Sequence, residues 1–148
     1  MSLYQHELWV LRPDSQLGQV NAKKTYCGRH DSTHRTLVGW LCQSEQFRPD
    51  AAMRVFHRDA CLIVEPTFRN YFGRGRSAPT EENILCAIER AARSPPGTVD
   101  GVSIRWASNN SDFLRTSLID AAREAVAGSS HTFFLVGDPQ GNDYRNYS

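Results

Sequence analysis

Residues 60–72 read ACLIVEPTFRNYF, and how this stretch is parsed decides the fold. It starts apolar, and after Glu65 its side chains sort at a spacing of two. Thr67, Arg69 and Tyr71 fall on one side, Val64, Phe68 and Phe72 on the other, which predicts a β-strand. Pro66 removes a ladder donor, so the strand lies at an edge, bends there, or starts after it. Gly73-Arg-Gly-Arg-Ser then turns the chain.

C-terminal to this strand the elements are clearly marked. Pro79-Thr80-Glu81-Glu82 opens a helix, with a capping Thr and acids where the helix dipole favours them. Ile84, Leu85, Ile88, Ala91 and Ala92 form its apolar stripe, and Ser94-Pro-Pro-Gly ends it. A second strand, Gly101 to Ala107, sets Val102, Ile104 and Trp106 against Ser103 and Arg105, with Trp106 expected in the core. Ser111 caps a helix to about Val126, with Leu114, Leu118, Ala121 and Ala125 inward, and a strand from Thr132 to Val136 precedes a polar tail.

N-terminal to it the signals are weaker. Leu3 to Leu11 predicts a short helix ended by Pro13, and residues 14–31 a loop. Thr33 to Gln43 is a second short helix, and Asp50 caps a turn through AAMRVF. The expected fold is α+β: a small, mostly antiparallel sheet with helices packed on one face. We divide the chain into an N-terminal helix and extension (1–35), an α+β domain (36–137) and a polar tail (138–148).

With 148 residues the chain has enough material for one buried core. No apolar run approaches the roughly 18 residues of a membrane span. The opening MSLYQHELWVLRPD lacks the basic and apolar regions of a secretory signal, so an intracellular protein is expected. The net charge of +1 hides an uneven distribution: residues 51–76 carry five Arg against Asp59 and Glu65, while residues 77–148 carry six Arg against nine acids. Fifteen of the 17 basic residues are Arg, whose planar fork matches phosphate. A basic middle segment suits a local anionic partner, or it is a solvated charged loop.

Catalytic patterns are missing: no H-x-E with P-C-x-x-C, no phosphate-binding G-x-x-x-x-G-K-[ST] and no G-x-S-x-G. Glu81-Glu82 reads as helix-start electrostatics. Cys27, His30, His34 and Cys42 have donor atoms suited to zinc but in an order unlike common fingers, and free thiols are the simpler reading. We therefore expect a binding protein, not an enzyme, with no cofactor. If the two strands share a sheet, Thr67, Arg69, Tyr71, Ser103 and Arg105 line its outward face, flanked by Arg74 and Arg76. Guanidinium and hydroxyl groups suit the phosphates and 2′-OH groups of A-form RNA, although an ordinary solvated face has the same look. Trp9 and Trp40 are either core anchors or surfaces for stacking on a terminal base pair.

Two blocks carry a resemblance. The chain has F-R-N-Y-F-G-R-G-R at 68–76 and, after Ser77-Ala-Pro, T-E-E; it has G-V-S-I at 101–104 and S-N-N-S at 108–111 before a helix. In these it resembles the tombusvirus nineteen-kilodalton RNA-silencing suppressor family, most closely its shorter aureusvirus relatives. That family has F-K-R-Y-L-R-Y-D-R followed by T-E-A, then G-V-S-I and S-G-G-S before its last helix. The resemblance covers residues 36–126. It implies a plant-virus protein of the host cytoplasm, a homodimer whose sheets join into one surface, and sequence-independent sequestration of small interfering RNA duplexes. By position it assigns RNA binding to Arg69, Tyr71 and Arg76, then Ser103, Arg105 and Ser108. Gly73, Asn70 and the three inserted residues before Thr80 depart from the family pattern. So does the single Trp40 where the family has an end-capping pair, which implies looser length selection. Gly39-Trp40 also forms a GW dipeptide, the basis of an alternative: a protein-interaction module engaging a host silencing factor such as Argonaute.

Overall fold

The computed structural model describes residues 6–24, 35–36, 39, 42–43, 46–47, 51–72, 80–108, 112–128 and 132–136. Its strands are β1 (His6–Arg12), β2 (Cys42–Gln43), β3 (Gln46–Phe47), β4 (Ala51–His57), β5 (Ala60–Val64), β6 (Val102–Trp106) and β7 (Thr132–Val136). Its long helices are α1 (Glu81–Arg93) and α2 (Phe113–Gly128). The main sheet runs β6-β5-β4-β1-β7, while β2 and β3 pair separately. From β6 to β1 the pairing is mostly antiparallel: β5 is antiparallel to β4 and β6, and β1 is parallel to β4. A second parallel pair, β1 with β7, completes it. The class is α+β.

Both faces of this sheet are apolar. All five residues of β5 are buried, and only Arg54 interrupts the burial of β4. On one side Leu8, Val10, Met53, Val55, Leu62, Val64 and Val102 pack with Ile84, Leu85 and Ile88 of α1. On the other, Trp9, Leu11, Phe56, Cys61 and Ile63 pack with Ala121, Phe113, Leu114 and Leu118 of α2. The expected single layer of helices is thus corrected to a helix on each face. A strand covered on both sides need not alternate in polarity.

That double covering explains the corrections near the N-terminus. Residues 6–12 form a strand, not a helix: Leu8 and Val10 enter one core while Trp9 and Leu11 enter the other. AAMRVFH is likewise strand β4 and not a turn. In the second helix candidate, Arg35, Thr36 and Gly39 are helical and Cys42–Gln43 is a short strand. Its remaining residues, Trp40 among them, lie outside the described residues.

The opening stretch divides at its proline. β5 stops at Val64, and Pro66–Tyr71 form a 3-10 helix, so the predicted strand after Glu65 is replaced by a tight turn. Pro66 cannot donate to a ladder, but its fixed φ suits the first helical position. At three residues per turn Phe68 goes to the core, while Thr67, Arg69 and Asn70 are exposed. Gly101 makes this close approach possible. Its φ is +77°, and a Cβ there would stand 2.2 Å from the Phe68 amide nitrogen.

α1, β6, α2 and β7 stand where the sequence signals put them, while the Ser111 cap, the Ala125 side chain and the polar tail lie outside the described residues. Thr80 caps α1, its Oγ1 accepting from the Asn83 amide at 3.2 Å, and Ser94 ends the helix. In β6, Val102 and Ile104 join the α1-side core while Ser103 and Arg105 are exposed. Trp106 differs from expectation: it is 46% exposed, because the strand runs on past the cover of α1.

Candidate nucleic-acid interface

β6 is an edge strand, hydrogen-bonded to β5 alone among the described strands, and the candidate residues gather along it. At its start lies the 66–71 turn, joined to it by the Glu65 amide donating to the Gly101 carbonyl at 2.8 Å. Thr67 and Arg69 stand exposed on that turn, Ser103 and Arg105 along the strand, and Ser108 just beyond it. Four residues of extended chain separate Gly101 from Arg105, roughly 13 Å at strand spacing. The result is a rim of two guanidinium and three hydroxyl groups at the side of the sheet.

This is not the common sheet face expected from sequence. Tyr71 packs against the α1-side core, stacked with Phe68 at 6.4 Å between centroids. Ser103 and Arg105 alternate with Val102 and Ile104, so they belong to the α2 side. The structure therefore brings Thr67 and Arg69 to one end of the β6 edge and Arg105 and Ser108 to the other. Arg74, Arg76 and Trp40 lie outside the described residues. Trp9 is only 8% exposed and meets Phe56 edge-on at 5.7 Å, so it is a core anchor and not a stacking surface for duplex ends.

Sequence reasoning missed two partners because both depend on chain segments far apart. Arg90, from the last turns of α1, donates to the Tyr71 hydroxyl at 3.4 Å and places another exposed guanidinium beside the 66–71 turn. Glu124, from α2, receives Arg105 at 3.6 Å through one carboxylate oxygen and Arg54 at 3.3 Å through the other. Arg54 in turn pairs with Glu7 and lies 6.0 Å from the Trp9 ring centroid. An ionic chain Glu7–Arg54–Glu124–Arg105 thus crosses the α2 side, from a buried end to an exposed one. At the exposed end the Arg105–Glu124 contact is solvated and contributes little to stability, leaving Arg105 available to another anion.

The thiols differ in setting. Burial pushes Cys61 up from 9.0 to about 11, with Arg54 and Arg105 pulling the other way. Cys86 is exposed, and its pKa is also raised, first by desolvation and then by Glu82 and Glu89. Neither thiol is placed as an activated nucleophile, which requires a lowered pKa. Among the described residues no group of three or more His, Cys, Asp or Glu could hold a metal. Cys27, His30 and His34 lie outside them. No helix among the described residues is long and apolar enough to cross a membrane.

Compared with family models and with curated proteins, the sequence matches none of them.

Proposed function

We propose that this chain binds double-stranded RNA without regard to sequence and sequesters short interfering duplexes, so that it suppresses RNA silencing in the host cytoplasm. The observation that carries the reading is the β6 rim, where Thr67, Arg69, Ser103, Arg105 and Ser108 are all exposed. Guanidinium and hydroxyl groups spaced along one edge suit the phosphates and 2′-OH groups displayed across the wide minor groove of A-form RNA. The resemblance of residues 68–76 and 101–104 to the tombusvirus family points the same way, and Arg74 and Arg76 extend the basic segment beyond Arg69. The work is done by binding alone, with no chemical step or cofactor.

Two copies act together in this reading, with their sheets continuous across a homodimer, because one rim spans too little of an RNA helix to hold it firmly. With only Trp40 available for end-capping, longer duplexes are bound as well as short ones. In the rival reading, Gly39-Trp40 engages Argonaute. Gly39 is exposed, with open space around its Cα, which leaves room for a partner but identifies none.

The test is a titration into labelled RNA duplexes of several lengths, with single-stranded RNA and duplex DNA as controls, at two salt concentrations. Selective duplex-RNA binding that weakens with salt supports the proposal. Equal affinity for all three nucleic acids, or none, overturns it.

A further inference from the structure

Trp106 is exposed over 46% of its surface at the end of an edge strand, in a setting that holds it rigid. It pairs with Ala60 in the β5–β6 ladder, and the next amide, Ala107, donates to the Asp59 carbonyl at 2.8 Å. Below it the 17–19 turn is pinned by the Asp59 carboxylate, which accepts from Leu17 at 2.7 Å and from Gly18 at 2.8 Å. Gly18 lies beside the indole: a Cβ there would meet Cζ3 of Trp106 at ordinary van der Waals distance, 3.9 Å. An apolar ring of this size held open to water on an ordered strand loses hydrophobic stabilisation that burial would give it.

Two exposed arginines belong to the segments that meet at this turn. Arg93 of α1 reaches the same turn, donating to the carbonyls of Gly18 at 3.0 Å and Val20 at 2.9 Å, and remains exposed. Arg58, in the β4–β5 turn next to Asp59, is exposed as well. The carboxylate of Asp59, next to Arg58 in sequence, is occupied by two backbone amides.

We infer that Trp106, set between Arg105 and Ser108 on the β6 edge and turned to its α1 side, is a stacking platform for one unpaired RNA base. This rests on the duplex-RNA reading above. An exposed π-face on an edge that also carries guanidinium groups is the combination that holds single-stranded nucleic acid. Trp106 follows Arg105 on the same edge strand but faces the α1 side, so a strand running off a duplex held at Arg69 and Arg105 reaches it by crossing that edge.

The experiment compares one RNA duplex, blunt or with a short single-stranded tail, and the tail sequence alone, against the full chain and its W106A and W106F variants. The tail is expected to tighten binding roughly fivefold, at the low end for base–aromatic stacking. W106A should erase that gain without changing blunt-duplex affinity, and W106F should keep most of it. Circular dichroism checks the fold of each variant. No gain from the tail, or a gain that survives W106A, overturns the inference. A W106A variant that keeps the gain while its sedimentation shifts from dimer to monomer assigns Trp106 to a contact between copies. Tail binding through Trp106 without affinity for the duplex keeps the platform and removes the duplex reading. Binding of neither removes both.

Discussion

The guanidinium of Arg54 on β4 lies against the carboxylate of Glu7 on β1, on the side of the sheet that α2 covers. Their side chains are 11% and 3% exposed, so each charge depends on the other for the solvation it has given up. Removing one partner of such a pair costs far more than replacing both. Glu7→Ala should therefore lower stability by about 3–5 kcal/mol in urea denaturation. The double replacement Glu7→Leu with Arg54→Met should recover most of that loss. A double variant whose loss equals the sum of the separate Glu7→Leu and Arg54→Met losses would show that the pair is not coupled.

Two glycines with positive φ separate backbone strain from steric conflict. Gly97 has φ +87° with open space around it, so Gly97→Ala should cost only the left-handed penalty of about 1–2 kcal/mol. Gly101 has φ +77° and the Phe68 backbone directly in the path of a Cβ. Gly101→Ala should cost several times more and loosen the 66–71 turn, read as a larger fall in melting temperature and weaker duplex binding. Similar effects at the two positions would place the strain in the backbone alone.

At high pH the buried thiol gives a signed expectation. Burial raises Cys61 from 9.0 to about 11, so the folded chain holds this proton more tightly than the unfolded chain. Its contribution is complete below pH 9 and is lost as pH rises through 11, by about 2–3 kcal/mol in all. Cys61→Ala should flatten that part of the curve of stability against pH. With native protein at neutral pH, a thiol reagent should label exposed Cys86 and spare Cys61 until denaturant is added. Equal labelling of the two would contradict their burial.

The rim makes opposite predictions for its charges. Arg69→Ala should weaken duplex-RNA binding roughly tenfold, evenly across sequences, and lower the slope of log affinity against log salt by about one. Arg105→Ala should do less, because Arg105 exchanges a contact with Glu124 for one with phosphate. Glu124→Gln should tighten binding. An unchanged slope in Arg69→Ala, or weaker binding by Glu124→Gln, would remove these side chains from the interface.

Which elements could be read from sequence follows from where each strand lies. β6 has one side open to water, so its alternation of Val102, Ser103, Ile104 and Arg105 is plain, and Thr80 announces α1 by a local capping bond. β1 and β4 are covered on both sides; Trp9-Val10-Leu11 and Ala51-Ala52-Met53 run apolar without a period and imitate other elements. After Pro66 the spacing of Thr67, Arg69 and Tyr71 fits a strand, yet the chain tightens into a turn that delivers Phe68 to the core. The exposed chemistry of Arg69, Ser103 and Arg105 was legible residue by residue. Their arrangement along an edge was not, because Gly101 meeting Phe68, Arg90 meeting Tyr71 and Glu124 meeting Arg105 all join distant parts of the chain.

β1 lies between β4 and β7, so among the described strands the first is flanked by the fourth and the last. A ribosome delivers these three in that order and with long intervals. Until β7 emerges, one margin of β1 presents unpaired backbone beside Leu8 and Leu11, the kind of surface that sticks to other nascent chains. Completion of the sheet therefore waits for β7, and the chain depends on chaperones most in the interval between β4 and β7.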